Sequence, residues 1–226
     1  VPWQQPKYGM LAPTAFVPMA QQTELIQKLS RWVLDASLSQ LAEWQKAGMQ
    51  LSMAVNLPVR SLHDLQLQDD IDRLLGAYGV SAENLNLEIT ERGMMVDWLH
   101  AAEMIKRMSK SGVRFTLDDF GTGHFSLGYL NQLAISTLKI DKSFVMTMSD
   151  NKQNENLVKA CVALGHGLGA KVLASGVEQR DHWDLLVVHG CDKVQGNFIC
   201  PALPPGEITH WLKHSPWNLE SKVKVS

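Results

Sequence analysis

The sequence predicts an α/β fold built from βα units around a parallel sheet, and three observations carry that expectation. Short apolar runs alternate with helical periodicities at roughly 20–35-residue intervals, the rhythm of βα units. No low-complexity tract or Gly/Ser linker divides the 226 residues, so residues 1–226 read as a single domain, a length at which one-domain α/β barrels are common. Polar and charged residues fall at the carboxyl ends of the apolar runs, where such folds place their sites.

Element by element, residues 21–48 carry Leu25, Leu29, Trp32, Val33, Ala36, Leu41 and Trp44 at three- and four-residue steps, one face of a long helix with its tryptophans in the core. Residues 51–57 read as a short apolar strand. A second helix is expected over 62–78, with Leu65, Ile71, Leu74 and Leu75 as its stripe. Further strands are expected over 85–90, 113–119, 136–141, 171–177 and 193–196. Helices are expected over 98–111, 154–168, 182–189 and 207–214. Six strands are visible, two short of the eight that close the common α/β barrel.

Composition limits the function classes. Apolar residues make up 45% and charged residues 19%, which suits a packed core. Lysine and arginine number 21 against 23 aspartates and glutamates, a net charge of −2. That balance argues against direct nucleic-acid binding and against broad grip on an anionic membrane. Cys161, Cys191 and Cys200 form no CxxC pair and read as free thiols of a reducing compartment. Cys191 and Cys200 with His189 fit no common structural-zinc spacing. Without a spanning apolar run or a signal peptide the expected location is cytoplasmic, with a membrane-tethered parent protein left open.

The polar residues cluster by position. Asn56 ends the first visible strand, Glu88 lies near the end of the second, and Asp118 and Asp119 end the third. Lys139 falls in the fourth, Ser175 and Glu178 at the end of the fifth, and Gln195 in the sixth. Taken singly, each has an ordinary reading. An Asp-Asp pair caps turns, Glu88 and Glu91 favour a helix N-terminus, Lys139 snorkels from an edge, Gln195 is solvated and Asn56 forms a turn. Three carboxylates and a carboxamide together suit a hard divalent cation, Mg²⁺ or Mn²⁺ rather than zinc.

Longer motifs then carry a family resemblance. Leu117-Asp118-Asp119-Phe120-Gly121-Thr122-Gly123 is followed by Ser126-Leu127, Tyr129-Leu130 and Leu138-Lys139-Ile140-Asp141-Lys142-Ser143-Phe144-Val145. Val55-Asn56-Leu57, Leu87-Glu88-Ile89-Thr90-Glu91, Ala174-Ser175-Gly176-Val177-Glu178 and Gln195-Gly196 fall in matching order. Together with Trp3, Pro6, Gly9, Pro13, Phe16, Pro18 and Ala20, the set resembles the EAL domain, a family of bacterial cyclic di-GMP phosphodiesterases. The resemblance implies a modified TIM-type (β/α) barrel of the EAL type, with the first strands missing from this chain. It implies Asn56, Glu88, Asp118 and Asp119 as Mg²⁺ or Mn²⁺ ligands, Asp119 bridging two ions. Lys139 matches the lysine beside the attacking water and Gln195 a glutamine near the same water. Glu178 matches a glutamate that helps hold the loop after the Asp-Asp pair.

Three departures shape the functional expectation. The Glu-Ala-Leu signature is absent, and with it a metal-binding glutamate and a ligand-binding arginine. Ser175 stands where active members place a glutamate. Gly123-His124-Phe125-Ser126 replaces a usual Tyr-Ser-Ser loop, and Pro58 a usual serine. The expectation is therefore a degenerate, regulatory cyclic di-GMP domain of weak or lost activity. The alternative is an active phosphodiesterase giving linear pGpG, and a barrel enzyme using Lys139 as base is a distant third. Expected partners are cyclic di-GMP, a second copy of the chain, a protein partner and upstream regulatory domains. The tail over 222–226 reads as a frayed end.

Overall fold

The structure is a computed structural model that describes residues 3–217 apart from residues 8, 22, 24, 96 and 124–126. The altered loop at His124-Phe125-Ser126 and the tail over 222–226 lie outside the described residues. The chain divides into two compact units, one of residues 1–118 with 123–136, the other of residues 119–122 with 137–226.

The first unit opens with a feature that the sequence reading did not anticipate. Strands β1 (Trp3–Gln5) and β2 (Gly9–Leu11) pair antiparallel, and helix α1 (Pro13–Gln21) follows, with Pro18 inside it. Helix α2 spans Leu25–Lys46 and buries Ile26, Ser30, Leu34, Leu38, Leu41 and Ala42. This face is turned from the expected one: Leu25 is 59% and Trp32 55% exposed, so Trp32 is not core. The rotation follows from Ser30. Its hydroxyl donates to the Ile26 carbonyl at 2.8 Å and lies 3.2 Å from the Ser61 hydroxyl, so a polar residue joins the buried stripe without an unmet hydrogen bond.

Strand β3 (Met53–Asn56) leads through a 3₁₀ turn at Val59–His63 to α3 (Leu67–Tyr78). Leu65 precedes α3 and is exposed, which corrects its place in the expected stripe; Ile71, Leu74 and Leu75 are buried as read. Asp69 and Asp70 occupy the first turn of α3, and Gly79 closes it in the left-handed conformation. Strand β4 is Leu85–Thr90, then come the single turn α4 (Glu91–Met94), helix α5 (Trp98–Lys110), strand β5 (Arg114–Phe120) and the short α6 (Leu127–Leu130). β3, β4 and β5 run parallel in sequence order.

The second unit continues the alternation with β6 (Thr137–Ile140), the turn α7 (Lys142–Val145), α8 (Lys152–Gly167), β7 (Lys171–Ser175), α9 (Arg180–Val188), β8 (Lys193–Gln195) and α10 (Pro205–His214). β6, β7 and β8 are likewise parallel and in sequence order. β4 and β6 are buried on both faces. Leu85, Leu87 and Ile89 fill one side of β4 while Glu88 is 7% exposed on the other, and all four residues of β6 are buried. Strands covered on both faces are the mark of parallel sheets with flanking helices. Among the described residues no helix is long and apolar enough to cross a membrane.

Candidate functional site

Register decides which side chains of the first unit meet. Asn56 pairs with Glu88, Glu88 with Thr116, and Thr90 with Asp118. Partners in register share a sheet face and residues two apart along a strand share it too. Asn56, Glu88 and Asp118 therefore lie on one face, Asp118 about 6.6 Å of strand rise beyond the Glu88 rung. Glu88 and Asp118 are buried, and Asn56, the last residue of β3, is exposed. Below them on the same face the Asn86 amide donates to the Thr116 hydroxyl at 2.7 Å. Every member of this face row offers oxygen, the donor set of a hard divalent cation. Among the described residues no group of three His, Cys, Asp or Glu could hold an ion by itself. The further oxygen donor in this row is the Asn56 carboxamide, at the end of β3.

Asp119 leaves the pleat. Its φ is 55°, the positive φ of a non-glycine residue in a chain whose other such residues, among those described, are glycines. Its carbonyl accepts from the Thr122 hydroxyl at 2.8 Å. Gly121 follows at φ 98°, and a Cβ there would lie 2.9 Å from the Phe144 ring. Aspartate tolerates the left-handed region better than most residues, and such outliers gather at functional turns.

The loop after the Asp-Asp pair is fastened by a residue whose role the sequence reading did not see. Glu91 is 2% exposed and its Oε2 accepts from the Gly123 amide at 3.1 Å. A Cβ on Gly123 would sit 2.7 Å from that carboxyl, so the glycine is what permits the approach. From the sequence Glu91 was legible only as a first-turn carboxylate, which it also is, at the start of α4. Glu178, which the family resemblance links to that loop, is held by Asn197, whose side-chain amide donates to its Oε2 at 2.9 Å.

The second unit assembles its own row. Lys139 pairs with Leu173, and Ser175, two residues on, pairs with Gln195. Lys139, Ser175 and Gln195 thus share a face. Lys139 is 8% exposed, which overturns the reading of it as a snorkelling edge residue; Gln195 is exposed. The Ser175 hydroxyl donates to the Ile140 carbonyl at 2.7 Å. Beyond it, Gly176 has φ 81°, and a Cβ there would meet the Lys142 Cβ at 2.6 Å. The Glu178 amide faces Nδ1 of the buried His182 at 3.4 Å. On the other side of the ring the Gln179 side-chain nitrogen lies 3.0 Å from His182 Nε2.

Comparison with known proteins identifies the family. The EAL domain model matches residues 1–202. The chain is 32% identical over 211 residues to the cyclic di-GMP phosphodiesterase PA2567 of Pseudomonas aeruginosa, covering 93% of this chain and 36% of that protein. It is 34% identical over 214 residues to the oxygen sensor protein DosP of Escherichia coli, covering 93% and 26%. The chain therefore spans about a third or less of the length of these relatives. Among solved structures, a MucR phosphodiesterase in complex with cyclic di-GMP superposes with a TM-score of 0.87 at 33% identity, covering 92% of this chain and 84% of that one. The FimX EAL domain of Xanthomonas citri in complex with cyclic di-GMP gives 0.81 at 26%, covering 88% and 78%. An α/β fold of parallel βα units, the ordered strand-end motifs and a family match over most of the sequence lead to one conclusion: this chain belongs to the EAL domain family.

Proposed function

We propose that this chain is a cytoplasmic cyclic di-GMP signalling module that binds the dinucleotide and turns it over slowly or not at all. The observation that carries the reading is Ser175. It ends β7 on the face of Lys139 and Gln195, where active members of the family place a glutamate, and its hydroxyl is committed to the Ile140 carbonyl. A hydroxyl brings no negative charge to a cation site. Loss of one such group removes on the order of 10²–10⁴ in rate. The ligand class rests on the relatives, one named a cyclic di-GMP phosphodiesterase and one solved in complex with cyclic di-GMP.

Within this reading Asn56, Glu88 and Asp118, together with Asp119 in its left-handed turn, would hold Mg²⁺ or Mn²⁺. Such ions, when bound, screen phosphate charge, polarise phosphoryl oxygen and acidify water. The Lys139 ammonium contributes fixed positive charge from a buried position. Gln195 orients the attacking water, and Glu178 with Asn197 steadies the turn after β7.

A second reading, an active phosphodiesterase releasing pGpG, is favoured by the shared face of Asn56, Glu88 and Asp118 in the first unit and that of Lys139 and Gln195 in the second. Calorimetric titration with cyclic di-GMP, beside a pGpG assay in Mg²⁺ and Mn²⁺, separates the two. The regulatory reading expects binding with slow turnover and a large gain in Ser175→Glu. Fast conversion by the wild-type chain would overturn it.

A further inference from the structure

Helix α10 carries a second kind of metal-binding chemistry. We propose that His210 and His214 form a bidentate imidazole site for a borderline divalent transition metal, Cu²⁺, Ni²⁺ or Zn²⁺, on the exposed face of this helix. Nothing in this inference depends on the reading of the carboxylate row or on cyclic di-GMP.

Both histidines are exposed, and they stand four residues apart, so one helical turn brings them onto the same face. Their rings are already gathered, with centroids 4.2 Å apart and planes inclined by 24°. Two imidazole nitrogens bound tetrahedrally to one ion at about 2.0–2.1 Å stand about 3.3 Å apart, so the stacked rings lie within reach of one ion once they rotate out of the stack to converge their lone pairs. Ile208, Thr209, Trp211 and Leu212 are only partly exposed, so the helix turns other residues inward and leaves the pair accessible.

The tautomer is fixed in the sense that metal binding needs. His214 Nδ1 lies 2.8 Å from the His210 carbonyl oxygen. A carbonyl only accepts, so Nδ1 carries the hydrogen and the neutral ring keeps its lone pair on Nε2. Metal-bound histidines are held in the same way, by donating their other nitrogen to a carbonyl or carboxylate. Glu207 lies one turn earlier on the same face and adds negative charge, while Lys213 is the neighbouring cation on the helix. Imidazole donors suit copper, nickel and zinc, whereas the all-oxygen set of Asn56, Glu88 and Asp118 suits magnesium and manganese. With two protein ligands, water fills the remaining positions, so affinity is modest and exchange is fast.

The test is titration of the full chain with CuSO₄, followed by electron paramagnetic resonance and by calorimetry in 5–10 mM Mg²⁺, conditions of roughly saturating hard cation. The expected result is one Cu²⁺ with nitrogen superhyperfine splitting, undisturbed by Mg²⁺. His210→Ala and His214→Ala each weaken it by at least about tenfold, with the far-ultraviolet circular dichroism unchanged. Copper affinity equal in the wild type and both variants would overturn the assignment, as would displacement of the copper by Mg²⁺. Zn²⁺ provides a second readout: it should raise the melting temperature of the wild type and leave that of the double variant where it was.

Discussion

Carboxylates stand at both ends of the strands, and they do different work. At the start of β8, Asp192 is ringed by donors: Lys171 Nζ, the Val172 amide and His166 Nε2 each lie 2.8 Å from its oxygens. Burial would push this carboxyl up, but the Lys171 ammonium, the Val172 amide and His166 override it and hold the group well below the usual carboxylate range. In the first unit, Glu88 and Asp118 lie on one sheet face with Asn56 near the ends of their strands. Asp192 ties α8, β7 and β8 to one another. Glu88 and Asp118 instead stand in one row of a sheet face with Asn56, which the proposed function reads as a cation site. Under the proposed function, the contrast is between a carboxylate that holds the fold and carboxylates that the fold holds for a ligand.

Exchanging the two kinds of residue tests that separation. The largest effect is expected from Glu88→Gln combined with Asp118→Asn. Mn²⁺ affinity should fall by at least about 100-fold, while the melting temperature stays level or rises. Calorimetry with Mn²⁺ and a thermal melt of the same sample read both, and a drop in stability with unchanged Mn²⁺ affinity would erase the distinction. Asp192→Asn should do the reverse, costing about 1–3 kcal/mol in denaturant unfolding through the lost Lys171 pairing, with Mn²⁺ affinity intact.

The pH dependence of Asp192 carries a definite sign. Its pKa is depressed in the folded state, so its contribution is complete above the unfolded carboxylate value of about 3.9 and is lost as pH falls below it. Acid unfolding of the wild type should therefore be steeper below about pH 4 than that of Asp192→Asn. Parallel curves would mean that the latch contributes nothing. The smallest effect is expected at Glu91. Glu91→Gln keeps an acceptor for the Gly123 amide but loses its charge, which should lower the free energy of local opening at Gly123 by about 1 kcal/mol. Faster hydrogen exchange at Gly123, with global stability nearly unchanged, is the signature.

Much of this fold was legible because apolar spacing reports burial directly. β4 falls on the expected residues, and α5, α8 and β6 differ from their expected spans by a residue or two at their ends. The reading failed where polar chemistry or isolated turns decide. Ser30 joins a buried stripe through hydrogen bonds that periodicity does not register, and the face of α2 was misplaced accordingly. β2 and α1 were missed because they give no core pattern: none of the described residues of either is buried. At the site, the placement of Glu88, Asp118 and Lys139 within strands was legible. The contacts of Glu91 with Gly123 and of Glu178 with Asn197 were not, because they depend on which backbone amide or side chain comes within reach after folding.

Under the proposed function, the hydroxyl at position 175 is what limits turnover. The most direct test is pGpG formation by the wild-type chain and by Ser175→Glu, compared at equal cyclic di-GMP occupancy in Mn²⁺. The account predicts a rate on the order of 10²–10⁴ higher in Ser175→Glu, with dinucleotide affinity changed little. A wild-type chain that already turns over rapidly, with no gain from the glutamate, would contradict it.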